Sequence, residues 1–299
     1  MRLFEFYAEP KECSYLNDKT SRFRYFHIQN CSDSFYIGLL ERGWRRFGNY
    51  FFVPMCNECQ KCVTIRTLVE KFEFSKNHRR VIKNNYNTEL YIQKPTISQE
   101  HLALYDKYHK KMHAKKGWEY IPITQKSYTE MFVEGHQHYG YEFLYLIDSQ
   151  LVGVGLVDIL QDNISAVYFF YDHDYERLSL GTFNILMQLR IAKEKNLKYF
   201  YPGYWIEGHG SMGYKERFKP FECLVNAPDI FDSTKWIPHT NFNAMQAKQS
   251  YANTHLQSVL KIDSAQQDSK QMHGFLPAEV HNDSQDNIEN LQNFDKQNK

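Results

Sequence analysis

The stretch that decides the fold runs from Tyr141 to Ile206. It reads YEFLYLID (141–148), LVGVGLVD (151–158), ISAVYFFYD (164–172), LSLGTFNILMQLRIAKEKN (178–196) and KYFYPGYWI (198–206). The first three pieces are short, apolar and rich in aromatic and β-branched residues. They are separated by Ser149–Gln150 and by Gln161–Asp162–Asn163, so they predict three strands joined by tight turns. The fourth carries Leu180, Phe183, Met187 and Ile191 at helical spacing, with Lys and Glu near its end, and predicts a helix. The fifth returns to a strand. Upstream, SQEHLALYDKYHKKMH (98–113) aligns Leu102, Tyr105, Tyr108 and Met112 along one helical face. The whole predicts an α+β protein with the order β-β-β-α-β in a domain over residues 96–240.

Working outward, residues 1–95 combine short apolar segments with many Arg residues and a cysteine cluster, and predict a separate N-terminal domain. Composition changes near residue 240. Residues 241–299 hold 17 Asn+Gln and only four of the 48 aromatics, too little apolar surface to offset the entropy of ordering, which predicts a polar, mobile tail. No internal repeat is present.

The formal net charge of +1 hides an asymmetry. Residues 1–116 carry 21 Lys+Arg and 12 Asp+Glu, and the remainder carries 15 and 23. A basic half beside an acidic one predicts that the first half meets a polyanion, with nucleic acid the default candidate. No apolar run reaches the ~18 residues a membrane-spanning helix needs. Glu5, Glu9, Lys11 and Glu12 interrupt the start where a signal peptide would be apolar. A cytoplasmic protein without membrane partners is therefore expected. In that setting Cys56-Asn-Glu-Cys59-Gln-Lys-Cys62 points to metal or redox chemistry rather than to disulfides. Thiols at i, i+3 and i+6 can share one ion. Cys13 is the natural fourth ligand and Cys31 the runner-up, and zinc or an iron–sulfur cluster would suit the set. Small buried hydrophobes are the competing reading.

Two further patterns carry chemistry. Glu41-Arg-Gly-Trp-Arg-Arg-Phe-Gly48 sets three arginines among glycines and aromatics, where a guanidinium fork can hold a carboxylate or phosphate. Arg45 and Arg46 are adjacent, so in a strand at most one of them faces a given substrate. Lys76, His78, Arg79, Arg80 and Lys83 form a second basic cluster, suited to phosphates or to a solvated face. Finally, Tyr199-Phe-Tyr-Pro-Gly-Tyr-Trp-Ile206 and Gly208-His-Gly-Ser-Met-Gly-Tyr-Lys215 read as the aromatic and glycine wall of a pocket.

Cys13-Ser-Tyr-Leu16, Gly43-Trp-Arg-Arg-Phe-Gly48, Pro54 to Cys62, Ser75-Lys-Asn-His-Arg-Arg80, Ser165 to Asp172, Leu178-Ser-Leu-Gly-Thr-Phe183, Gly203-Tyr-Trp-Ile206 and Met212-Gly-Tyr-Lys215 occur in this order. Together they closely resemble the bacterial aspartate/glutamate leucyltransferases, relatives of the eukaryotic arginyl-tRNA–protein transferases. The resemblance covers about Cys13 to Pro220. It implies a second domain of Gcn5-type acyltransferase fold, which the strand order also suits. It also implies transfer of leucine from leucyl-tRNA to the α-amine of N-terminal Asp or Glu, feeding N-end rule degradation, with no cofactor for the transfer itself. On this reading Tyr168, Asp172, Tyr204 and Lys215 position the reactants, relay protons and stabilise charge. Arg45 and Arg46, with Arg79 and Arg80, bind substrate. The motif in which relatives often have Arg-His reads Met112-His113, Pro202 replaces their usual Leu, and the extension past residue 240 is atypical.

Arginine remains open as the donated residue. An acetyl-CoA-dependent N-acetyltransferase would place an R/Q-x-x-G-x-G/A loop before its main helix, and Glu176-Arg-Leu-Ser-Leu-Gly181 lacks that spacing. A non-catalytic RNA-binding protein with a zinc knuckle is the reading from a different class.

Overall fold

A computed structural model describes residues 1–135 and 138–242. Of the expected tail, residues 243–299 lie outside the described residues.

The expected hairpin forms between strands Gly140–Ile147 and Gln150–Leu160, and Asn163–Tyr171 pairs antiparallel on the other side. Asp148 and Ser149 both have positive φ, the backbone twist that a two-residue hairpin turn requires. Helix Leu180–Glu194 then crosses over and delivers Tyr199–Tyr201 parallel to Asn163–Tyr171. The strand read over 198–206 is two strands, Tyr199–Tyr201 and Tyr204–Trp205. The break falls at Pro202–Gly203: proline has no N–H for the ladder, and Gly203 sits at a φ of 96°, where a side chain would be strained.

Local patterning leaves a further sequence of pairings unread. Val63–Leu68 inserts beside Tyr199–Tyr201, carries Tyr204–Trp205 on the same edge region, and pairs with Phe221–Val225, which pairs with Lys235–Pro238. At the opposite edge Glu89–Gln93 joins Gly140–Ile147. Nine strands thus make one mixed sheet, and two of them come from the first 95 residues.

Both faces of this sheet are covered. On one, Leu180, Phe183, Leu186 and Leu189 of the crossover helix pack on Phe143, Tyr145, Val152, Ile164 and Phe200. On the other lie helix Gln99–Lys116 and a four-stranded antiparallel sheet of Arg2–Tyr7, Phe23–Gln29, Tyr50–Pro54 and Arg45–Phe47. Their contribution is Tyr25, Phe47, Phe52, Leu104 and Tyr105, against Val154, Leu156 and Phe170. Helix Gln99–Lys116 begins where the Ser98 hydroxyl accepts from the His101 amide and stops at Gly117, which takes a left-handed conformation. No described helix is long and apolar enough to cross a membrane.

Candidate active site

The parallel strands Asn163–Tyr171 and Tyr199–Tyr201 stay paired for three residues only, from Asn163↔Tyr199 to Ser165↔Tyr201. Beyond that point the Arg45 guanidinium bridges the two strands, its Nη2 donating to the Ala166 carbonyl at 2.7 Å and to the Tyr201 carbonyl at 3.3 Å. A cleft of about 560 Å³ opens there, lined by Arg45, Tyr168, Gly203, Tyr204, Met212 and Lys215 among others.

Adjacent residues of the strand Arg45–Phe47 have opposite fates, as strand alternation requires. Arg46 is fully neutralised. Its Nε and Nη2 reach the two oxygens of Asp158 at 2.8 and 2.5 Å, and Nη1 donates to the Gly48 carbonyl. Tyr36 adds a hydroxyl bond to Asp158 at 2.6 Å, and Asp158 holds the guanidinium well above the usual arginine range. Arg45 forms no such pair. Its Nη1 is buried without a hydrogen-bond partner, and burial lowers its pKa.

Lys215 approaches Arg45 from the short helical turn Gly213–Arg217. Its Nζ donates to the Tyr204 carbonyl at 2.5 Å and lies 3.7 Å from the Met212 sulfur. A Cβ on Gly203 would lie 3.3 Å from Lys215 Nζ and 3.5 Å from Arg45 Nη2, so the two cations converge beside that glycine. Burial first, and Arg45 second, push the Lys215 ammonium down to about 7, against an upward pull from Cys62.

Tyr168 and Tyr204 line the same cleft. The Tyr204 hydroxyl donates to the Gly43 carbonyl at 3.0 Å, tying the cleft wall to the arginine-rich loop. Tyr168 meets a residue that sequence reading did not single out. His109 Nδ1 faces the Tyr105 carbonyl at 2.9 Å, which can only accept, so Nε2 is the acceptor for the Tyr168 hydroxyl at 3.0 Å. Burial lowers His109 to about 4, so the imidazole is neutral at pH 7. The signal available was its place one turn after Tyr105 on a predicted apolar face. Asp172 lies apart from the cleft lining. Its carboxylate accepts from Lys107 Nζ at 2.7 Å and from the Asp174 amide at 3.0 Å, capping the turn His173–Leu178.

Arg79 and Arg80 sit exposed on helix Lys76–Asn84, away from the cleft lining. That helix starts with a Ser75 cap and packs against the crossover helix. Cys13, Cys56, Cys59 and Cys62 surround one small cavity of about 70 Å³, whereas Cys31 is buried elsewhere among Phe26, Tyr36 and Trp44. Burial raises the Cys56 and Cys62 thiols, which keeps them protonated. Among the described residues, no group of three or more His, Cys, Asp or Glu is arranged to hold an ion.

Models of the arginine-tRNA-protein transferase N terminus and C terminus match residues 11–80 and 100–225. The aspartate/glutamate leucyltransferase of Helicobacter hepaticus is 64% identical over 79% of this chain and 98% of its own length. This chain belongs to the aspartate/glutamate leucyltransferase family. Its Campylobacter jejuni member is 44% identical over 74% of this chain and 93% of that protein. A crystal structure of FemX superposes with a TM-score of 0.40 at 8% identity, over 64% of this chain and 67% of that one. The two family models meet the cleft from both sides: Arg45 falls in the first, and Tyr168, Tyr204 and Lys215 in the second.

Proposed function

We propose that this chain moves leucine from leucyl-tRNA to the α-amine of proteins beginning with Asp or Glu, an aminoacyl transfer that feeds N-end rule degradation. The observation that carries this reading is the cleft at the separating strands, in a chain 64% identical to a curated leucyltransferase. Leucine as donor follows the names of those relatives; the family models carry arginine in theirs. The parallel pair that separates after three residues, reached through a crossover helix, supports a Gcn5-type arrangement for residues 96–240, with 1–95 as the cysteine- and arginine-rich N-terminal part.

The donor is an activated ester, so a neutral amine can attack its carbonyl carbon directly. A C–N bond forms, the bond to the ribose oxygen breaks, and that oxygen takes a proton. What the protein must supply is contact between amine and ester, and donors for the oxyanion. Tyr168, Tyr204 and Lys215 line the cleft where this would occur. Asp172 acts at one remove, by holding Lys107 and the turn that precedes the crossover helix. Transfer from leucyl-tRNA to a peptide beginning in Asp tests the reading, with arginyl-tRNA and acetyl-CoA as alternative donors. Transfer from arginyl-tRNA alone would reassign the donor, and tRNA binding without transfer from either would leave an RNA-binding protein.

The basic first half is read as the tRNA surface, with Arg79 and Arg80 as exposed phosphate contacts. Affinity for leucyl-tRNA is then expected to fall with salt by ~0.7–0.9 in log–log slope per phosphate neutralised. Changing Arg79 and Arg80 together to Ala should flatten the slope and weaken all tRNAs alike, and a salt-independent affinity would contradict it.

The cysteine spacing and the shared cavity support a structural or regulatory zinc ion or iron–sulfur cluster on Cys13, Cys56, Cys59 and Cys62, once the thiols turn toward one centre. Metal analysis after anaerobic purification is expected to find about one such centre per chain. Absence of zinc and iron, with unchanged thermal stability in Cys59→Ser, would leave four packed thiols instead.

A further inference from the structure

We infer that Arg45 and Lys215 together form the seat for the side-chain carboxylate of the acceptor's first residue, beside Gly203. The assignment rests on the transferase reading and names what reads the acid within it.

Arg45 and Lys215 converge on one point and repel each other, a cost the free protein meets in part by releasing the lysine proton and that a bound anion would offset. Asp158, which acts on Arg45 from a distance, has its oxygens engaged by Arg46 and Tyr36. Among the described residues, neither Arg45 nor Lys215 forms an ion pair; their partners are carbonyl oxygens and a thioether. Arg45 and Lys215 are only 7% and 6% exposed, yet Arg45 Nη1 has no partner at all. Arg46, one residue away, illustrates the alternative: a guanidinium meant to stay internal is given its own carboxylate. The missing anion at Arg45 is therefore read as coming from outside.

The shape of the seat narrows the class of anion. Gly203 places no side chain between the cleft and the point where both cations converge, which leaves that corner of the cleft open to an anion. An anion at the end of a short side chain enters it while the residue's backbone amine stays in the wider cleft. Asp and Glu meet that description. Asn and Gln match them in shape without the charge, so the seat predicts discrimination by charge.

Transfer of leucine should be measured on four peptides that differ only in a first residue of Asp, Glu, Asn or Gln. Wild-type protein is expected to favour Asp over Asn by about ten- to a hundredfold in kcat/KM, the range for a charge-assisted bond to a carboxylate. Arg45→Gln can disturb the separating strands, because Arg45 also bridges Ala166 and Tyr201. Lys215→Gln keeps a donor for the Tyr204 carbonyl and avoids that risk. In Lys215→Gln the Asp-to-Asn ratio is expected to drop severalfold, toward but not below one, mainly through KM for the acidic peptides, while leucyl-tRNA binding persists. A ratio unchanged from wild type in both variants overturns the assignment. Failure of the wild-type protein to transfer leucine to any of the four peptides would instead overturn the transferase reading.

Discussion

Replacing Asp158 with Asn is expected to destabilise the protein by about 3–5 kcal/mol, the usual consequence of removing one partner from a buried ion pair. Asp158 is fully buried and accepts three bonds, two from Arg46 and one from Tyr36. Asparagine has nearly the same shape, so packing is retained and the change isolates charge. What remains is a buried guanidinium, 6% exposed and flanked by the Tyr36 and Tyr139 rings, with no counter-ion. A folded domain has only about 5–15 kcal/mol in reserve, so the urea midpoint should fall by a large fraction. Removing both partners, as Arg46→Met with Asp158→Met, should be far milder than either single change. A loss below about 1 kcal/mol in Asp158→Asn would mean that the pair is not the clamp its geometry describes.

The second large effect has the opposite sign. Lys215→Met is expected to raise thermal stability at pH 6.5 while impairing transfer to acidic N-termini. In the fold, burial and Arg45 lower the lysine from its ordinary 10.5 to about 7. Between those values the unfolded chain holds a proton that the folded chain has released. Stability at this site therefore rises with pH across the window, and the penalty is complete below pH 7. The shift corresponds to on the order of 5 kcal/mol. Methionine removes that penalty but leaves the Tyr204 carbonyl without its donor, a loss of about 1–3 kcal/mol. A net gain of about 2 kcal/mol should raise Tm by roughly 4–8 °C at pH 6.5. Calorimetry at pH 6.5, 8 and 9.5 should show the advantage shrinking as pH rises. An equal shift at all three would separate the effect from the ammonium.

Much of the second half was legible because its signals are local. The hairpin, the crossover helix and the helix ending at Gly117 each announce themselves within about twenty residues, through alternation, helical spacing and turn chemistry. Val63–Leu68 was not legible as a strand of the same sheet, since its neighbours Tyr199–Tyr201 and Phe221–Val225 lie far along the chain. The site followed the same division. Alternation was enough to separate Arg45 from Arg46, but which one keeps its charge free depends on Asp158, 112 residues away from Arg46. His109 is not legible as a site residue, because a histidine on an apolar helical face ordinarily reads as core. Its tie to Tyr168 spans 59 positions.

The place of Val63–Leu68 in the middle of the sheet also sets an order of events during synthesis. The strand leaves the ribosome early, with five buried residues of six and both long edges unpaired. Its neighbours on either side, Tyr199–Tyr201 and Phe221–Val225, are not yet made. At about 5–20 residues per second, the wait for the first of them is roughly 7–26 s. Throughout that interval a β segment carrying Val63, Ile65 and Leu68, with Arg66 still without Glu222, is exposed to the nascent chain and to its surroundings, with no native strand partner available. A truncated product ending before residue 199 would carry the same open edges permanently. Ribosome-bound intermediates of this protein are thus the forms most in need of a chaperone, and premature termination in this interval should yield insoluble chains rather than a folded N-terminal fragment.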